Sequence, residues 1–292
     1  MATTVRIKGA EGVEIASHHL GGDGPPVMLV HATGFHGRSW EPLATHLDPA
    51  FSVWALDQRG HGASGKSPDG RYDWDCFVED LLAVIDGLGL DGWRGLGHSL
   101  GGAVLLMAEA RRGGTFSSLC CYEPVVMPPD WAALVADGAG RVSLAELARK
   151  RRPSFPSRQA ALDNYRSKPP FGTFQPDVLD AYVEYGFVDE PDGSVTLACR
   201  REDEASVFEG ALSSGAWGRL RHVRCPVAVL GGADLSNPVS RAAEQVARQL
   251  PQAGYRRFEE LDHFGPMVDP AQVAGAAALA LGQSTNPVTP PS

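Results

Sequence analysis

Residues 97–101 read Gly97-His98-Ser99-Leu100-Gly101, and this stretch decides the fold. An apolar, strand-like run containing Trp93 and Leu96 precedes it, and an apolar, helix-like run over residues 103–108 follows. Glycines two residues before and two after a serine let the backbone pass from strand to helix very sharply. The serine then stands on a strained corner, with its hydroxyl exposed above a helix N-terminus. That arrangement is a nucleophile elbow. The bare five-residue pattern is common, so its weight comes from the strand before it and the helix after it.

Working outward, residues 5–7 and 13–20 read as an opening pair of strands, ended by Gly21-Gly22-Asp23-Gly24-Pro25-Pro26. Short continuous apolar runs at 27–30, 53–56, 119–122 and 227–230 have the form of strands covered on both faces. Helical patterns at 40–47, 75–88, 103–110 and 241–250 lie between and after them. Alternation of this kind specifies an α/β fold, a doubly wound and mostly parallel sheet. The alternation fails between about 127 and 222, where prolines cluster and helical stretches at 143–150 and 177–185 follow with no strand expected between them.

With 26 basic and 35 acidic residues, the 292-residue chain carries a net charge of −9. A phosphate backbone or an anionic membrane would be repelled on average, so neither nucleic acid nor membrane is an expected partner. The first ten residues have no apolar core of leader length, and no run approaches the roughly 18 apolar residues that span a bilayer. A cytoplasmic protein is the expectation. The cysteines, Cys76, Cys120, Cys121, Cys199 and Cys225, contain no C-x-x-C pair and are read as reduced thiols, Cys120 and Cys121 in a core strand. Arg149-Lys150-Arg151-Arg152 reads as a solvated helix end rather than a nucleic-acid signal. The final stretch, 282–292, is rich in Pro, Ser and Thr and reads as a disordered tail.

The elbow resembles that of the α/β-hydrolase superfamily. So do the early His31-Ala32-Thr33-Gly34-Phe35 loop, the stretch Asp57-Gln58-Arg59-Gly60-His61-Gly62-Ala63-Ser64 and the late Asp262-His263-Phe264-Gly265-Pro266. The resemblance covers about residues 25–125 and 223–281. It implies a hydrolase core of 1–127 and 223–281, with a mainly helical cap at 128–222 inserted after the sixth strand and lying over the serine. Aromatic residues of the insertion, among them Trp131, Phe155, Phe171, Phe174, Tyr182, Phe187 and Trp217, read chiefly as its own small core, the remainder as pocket lining.

Serine alone is a weak nucleophile; a base must take its proton and a third group must hold the base in the right tautomer. His263, which follows a strand-like run at 255–261, gives the chain order Ser, acid, His and is the expected base for Ser99. His98 neighbours the nucleophile, but the sharp elbow directs its side chain away from the hydroxyl. His18, His19, His46 and His222 have no motif context and read as surface or packing residues. The resemblance makes His31 and His61 structural; His36 is a candidate for the border of the pocket. Neither H-E-x-x-H nor H-x-H occurs, so no metal and no cofactor is expected.

Two carboxylates compete for the third position. Asp234 lies 29 residues before His263, matching the superfamily's usual acid after the seventh strand. Glu123 ends the preceding strand, where some superfamily lactonases resemble it in placing a glutamate. The two could also coexist, one in the triad and one buried beside it with a raised pKa. Two N–H donors must meet the negative charge that builds on the substrate oxygen. They are expected from Leu100 and from the loop after the 27–30 strand, with Thr33 the best match and Phe35 the other choice. Ala32 stands where the superfamily more often has glycine.

Ser99 argues against dehalogenases and epoxide hydrolases of this fold, which carry aspartate at the elbow. The sequence therefore implies hydrolysis of a small ester or lactone with an apolar or aromatic part. C–C bond hydrolysis, cofactor-free oxygenase or perhydrolase chemistry, and a non-catalytic ligand receptor are the alternatives.

Overall fold

The computed structural model describes residues 2–47, 50–131 and 143–282. Eight strands form one sheet: β1 (Thr3–Lys8), β2 (Glu14–Gly21), β3 (Pro26–Val30), β4 (Ser52–Leu56), β5 (Arg94–His98), β6 (Ser118–Tyr122), and, after an insertion, β10 (Val227–Gly231) and β11 (Ala253–Arg257). Their order is β1-β2-β4-β3-β5-β6-β10-β11. β2 runs antiparallel to β1 and β4, and every later pair is parallel.

Alternation along each strand feeds two cores. In β3, Met28 and Val30 join the cluster built on helices Trp74–Leu88, Leu100–Arg111 and Pro238–Gln249. Val27 and Leu29 join the opposite cluster, with Trp40, Leu43 and the helix Pro270–Gly282. A strand apolar on both faces is what a sheet sandwiched between helices requires. Cys120 and Cys121 point to opposite cores in β6, and burial pushes the Cys120 thiol up to about 12. All five cysteines are unpaired. Among the described residues no helix is long and apolar enough to cross a membrane.

The insertion between β6 and β10 carries helices, as expected, but also short strands where none was expected. Besides helices such as Arg158–Arg166, Pro176–Tyr185 and Arg201–Gly210, it holds a three-stranded antiparallel sheet. This sheet comprises β7 (Ser154–Phe155), β8 (Phe187–Asp189) and β9 (Val195–Leu197), in the order β7-β9-β8. Strands of two or three residues are too short to display a period-2 pattern. Their signal is the turn: Asp192-Gly193 joins β8 to β9, with Gly193 at φ 84°, the Asp-Gly chemistry of a hairpin.

The charge run departs from expectation too. Arg149 pairs with Glu209 at the surface, but Arg151 is turned inward onto Glu204, with its Nη2 donating to Tyr165 Oη at 2.9 Å and Tyr182 Oη at 2.7 Å. The helix expected at 40–47 is reduced to a 3-10 turn, Gly37–Trp40, and one α-turn, Glu41–Ala44. Of the tail, Gly282 closes the last helix and the rest lies outside the described residues.

Candidate active site

The elbow forms as its glycines dictate. Ser99 sits at φ 56°, ψ −116°, immediately before the helix Leu100–Arg111. For a residue with a Cβ that conformation costs about 1–3 kcal/mol and persists only where its surroundings enforce it. A Cβ on Gly101 would stand 2.0 Å from the carbonyl oxygen of Val30, and one on Gly97 2.6 Å from the main chain of Gly101. No larger residue fits either place. The Ser99 amide donates to the Tyr122 carbonyl at 3.0 Å, and its own carbonyl accepts from Val125 at 3.1 Å, locking the corner to the end of β6.

The loop bearing His263 comes to this corner from the far edge of the sheet. Its Nδ1 lies 2.7 Å from Oε2 of Glu123. Glu123 is fully buried. Its Oε1 accepts from the Gly232 amide at 2.6 Å, and its Oε2 also accepts from Ser240 Oγ at 2.7 Å. Like Ser99 it has a positive φ, 43°. Asp234, favoured by spacing, is not brought to the histidine. It is exposed, and its Oδ1 accepts from the amide and hydroxyl of Ser236 in its own turn. The partner of His263 is therefore the alternative carboxylate, one strand earlier. With Nδ1–H committed to Glu123, Nε2 is the nitrogen left to act as a base.

The loop after β3 is fixed by two histidines. His31 Nδ1 donates to the Ala32 carbonyl at 2.7 Å while its Nε2 accepts from the Gln58 amide at 3.0 Å. His61 Nδ1 donates to the Arg59 carbonyl at 2.9 Å while its Nε2 accepts from the Gly34 amide at 3.1 Å. Both rings must be neutral to make these bonds. Burial, and then the neighbouring His61, pulls His31 down to about 3; burial likewise lowers His61. The Gly34 amide goes to His61 and the Phe35 amide to the Ala32 carbonyl, so the Phe35 amide is engaged within its own loop. Leu100, at the start of its helix, has one of the amides that a helix leaves without an internal partner.

Other histidines take the places their neighbours allow. His18 is a buried packing residue, with Nε2 3.0 Å from Asp57 Oδ2, whereas His46 and His222 are exposed. His36 Nε2 donates to the Tyr182 carbonyl at 3.1 Å, tying the core to the insertion.

Phe35 carries the same link in apolar form. Its ring is 5.2 Å from Tyr182, 6.1 Å from Phe174 and 6.3 Å from Phe264. The insertion's aromatic core thus continues into the loops bearing Thr33 and His263. Trp217 is absent from that cluster and packs on the main core. Between Phe35, Arg151 and Tyr182 a cavity of about 10 Å³ remains, space for a single water.

Sequence reasoning missed Ser240 and Tyr122. Ser240 shares the buried face of its helix with Ala243 and Ala247, and a lone hydroxyl on an apolar face was the available signal. Tyr122 Oη donates to the Asp262 carbonyl at 2.7 Å. Gly265 must be glycine beside it, since a Cβ there would lie 2.1 Å from that hydroxyl.

With these features in place, comparison with known proteins defines the class. Residues 27–277 match the alpha/beta hydrolase family, and the chain belongs to it. It is 33% identical over 117 residues, 39% of this chain and 44% of the relative, to N-formylmaleamate deformylase of Pseudomonas putida. It is 32% identical over 127 residues, 40% of this chain and 42% of the relative, to human monoglyceride lipase. These alignments span less than half the length of the curated relatives. Among solved structures, E-2-(acetamidomethylene)succinate hydrolase superposes with a TM-score of 0.82 at 21% identity, covering 97% of this chain and 100% of the other. Lipases and a deformylase are among the relatives.

Proposed function

We propose that this protein is a serine hydrolase that cleaves a small carboxylic ester or lactone, with the insertion acting as a cap over an apolar acyl or alcohol group. The observation that supports this reading best is the 2.7 Å contact between His263 Nδ1 and Glu123, beside a serine held at φ 56° on its elbow. In the mechanism, His263 Nε2 takes the proton of Ser99 Oγ as the oxygen attacks the acyl carbon. Glu123 holds the tautomer and balances the imidazolium that forms. The amides of Leu100 and Thr33 receive the oxyanion; each such donor is worth about 2.7–4 kcal/mol in a serine hydrolase. Collapse expels the alcohol, which takes the proton from His263, and leaves acyl-Ser99. Water, deprotonated by His263, then releases the acid and restores the serine. Phe35 and Phe264, which pack together where the core meets the insertion, would offer apolar surface to the acyl or alcohol group.

A second reading, hydrolysis of a small N-acyl group, is favoured by the likeness to a deformylase. Both readings share the acyl-enzyme. Incubation with a fluorophosphonate and with nitrophenyl esters tests it: Ser99 should label stoichiometrically and turn over repeatedly, and Ser99→Ala should do neither. Binding without sustained turnover would instead make the chain a receptor. Matched ester and N-formyl substrates then separate the two readings.

A further inference from the structure

His98 precedes Ser99, and its ring faces the loop that carries His263. Nε2 donates to the main-chain carbonyl of His263 at 2.8 Å, and the two rings lie 4.9 Å apart. A neutral ring that donates from Nε2 leaves Nδ1 as a bare acceptor. In His98 that atom is buried and has no hydrogen-bond partner among the described residues. An unsatisfied buried acceptor is destabilising, and what the imidazole supplies against it here is the bond from Nε2 to the His263 carbonyl. The ring is also confined by Tyr122 at 5.9 Å and by Phe35 and Phe264, each at 6.4 Å.

The loop at 262–263 is gripped from two adjacent strand ends. Tyr122, ending β6, holds the carbonyl of Asp262, and His98, ending β5, holds the carbonyl of His263. Glu123 fixes how the His263 ring is rotated, while the two main-chain bonds fix where that ring stands. We infer that His98 is a positioning residue that sets the place of the His263 imidazole relative to Ser99 through its hydrogen bond to the His263 carbonyl. This role rests on the hydrolase reading above. Misplacing a catalytic group by about 1 Å can cost about 10²-fold in rate, so one main-chain bond carries a measurable share of the chemistry.

The test compares His98→Leu, which removes both nitrogens at similar volume, with His98→Gln, whose amide nitrogen can occupy the place of Nε2. The rate of Ser99 labelling by a fluorophosphonate, kcat and KM for a nitrophenyl ester, and the melting temperature are measured on the full chain. The leucine variant should lose about 10- to 100-fold in kcat and labelling rate, with KM within about threefold, and the glutamine variant should recover most of that loss. If the leucine variant does not fold, His98→Asn replaces it, because its amide stops short of the carbonyl. Labelling and kcat within threefold of the parent in the variant lacking the bond overturn the proposal. So does a glutamine variant no faster than that variant. A parent protein that does not label at all overturns the hydrolase reading itself, and the role of His98 with it.

Discussion

Oε2 of Glu123 lies 2.7 Å from Nδ1 of His263, a contact between residues 140 positions apart in the chain. The glutamate also receives a main-chain amide from Gly232 and a hydroxyl from Ser240, so its position does not depend on the histidine it orients. If it serves as the triad acid, Glu123→Gln should lower kcat by up to roughly 10⁴-fold, since an amide no longer stabilises the tautomer and the imidazolium. Asp234→Asn, in an exposed turn, should leave kcat within about threefold and stability within about 0.5 kcal/mol. Steady-state kinetics on both variants, each checked for folding, decide the matter. The opposite ranking would return the role to Asp234.

Ser99→Ala and His263→Ala should each remove nearly all hydrolysis, and the double variant should be scarcely slower than either, because the groups act as one unit. Losses that multiply in the double variant would show two independent contributions and contradict the mechanism.

Protons should unfold this protein through its buried histidines. His31 is held down to about 3 by burial and by His61, and burial also lowers His36, His61 and His98. In the unfolded chain these rings bind protons below about pH 6.5, while the folded protein keeps them neutral. Stability is therefore complete above about 6.5 and drains as the pH falls toward about 3, by up to about 1.4 kcal/mol per pH unit for each such ring. Urea titrations from about pH 8 to pH 5 should show a level midpoint that drops steeply below 6.5. A level midpoint across the whole range would mean that these rings are protonated in the fold.

Gly101→Ala should be far more damaging than its single methyl suggests. The new carbon would meet the Val30 carbonyl at 2.0 Å, and backbone cannot rotate aside as a side chain can. A loss of about 3 kcal/mol or more is expected, with activity falling as the elbow is displaced. Thermal melting and turnover of the variant provide the measurement, and an unchanged melting temperature would show that the turn is looser than described.

What the sequence made legible was local. The turn at Ser99 and the histidine at 263 are specified within a few residues of themselves, as are the apolar runs that became β3, β5, β6 and β10. Which carboxylate meets His263 is different because it depends on tertiary structure. Glu123 follows β6 and Asp234 follows β10, and these strands are neighbours in the sheet, so both lie at the same end of it. The outcome turns on a φ of 43° at Glu123 and on the bond from its amide to Leu230, neither of which has a periodic signature. Arg151 hides for a similar reason. Its inward turn depends on Glu204, Tyr165 and Tyr182, which meet it only after the insertion has folded.

The pairing of β5 with β6, in which His98 stands opposite Tyr122, gives the three candidate catalytic groups unequal tenure. Ser99 and Glu123 each directly follow a strand at the centre of the sheet, and the Ser99 amide is itself bonded to the end of β6, so their separation is set by the interstrand spacing. His263 arrives on a loop beyond the last strand, retained by a handful of hydrogen bonds. Local opening costs less at such a loop than in the middle of a sheet. Warming or mild denaturant should therefore silence the chemistry reversibly by releasing the histidine, while amide exchange still records a closed sheet around the serine and the glutamate.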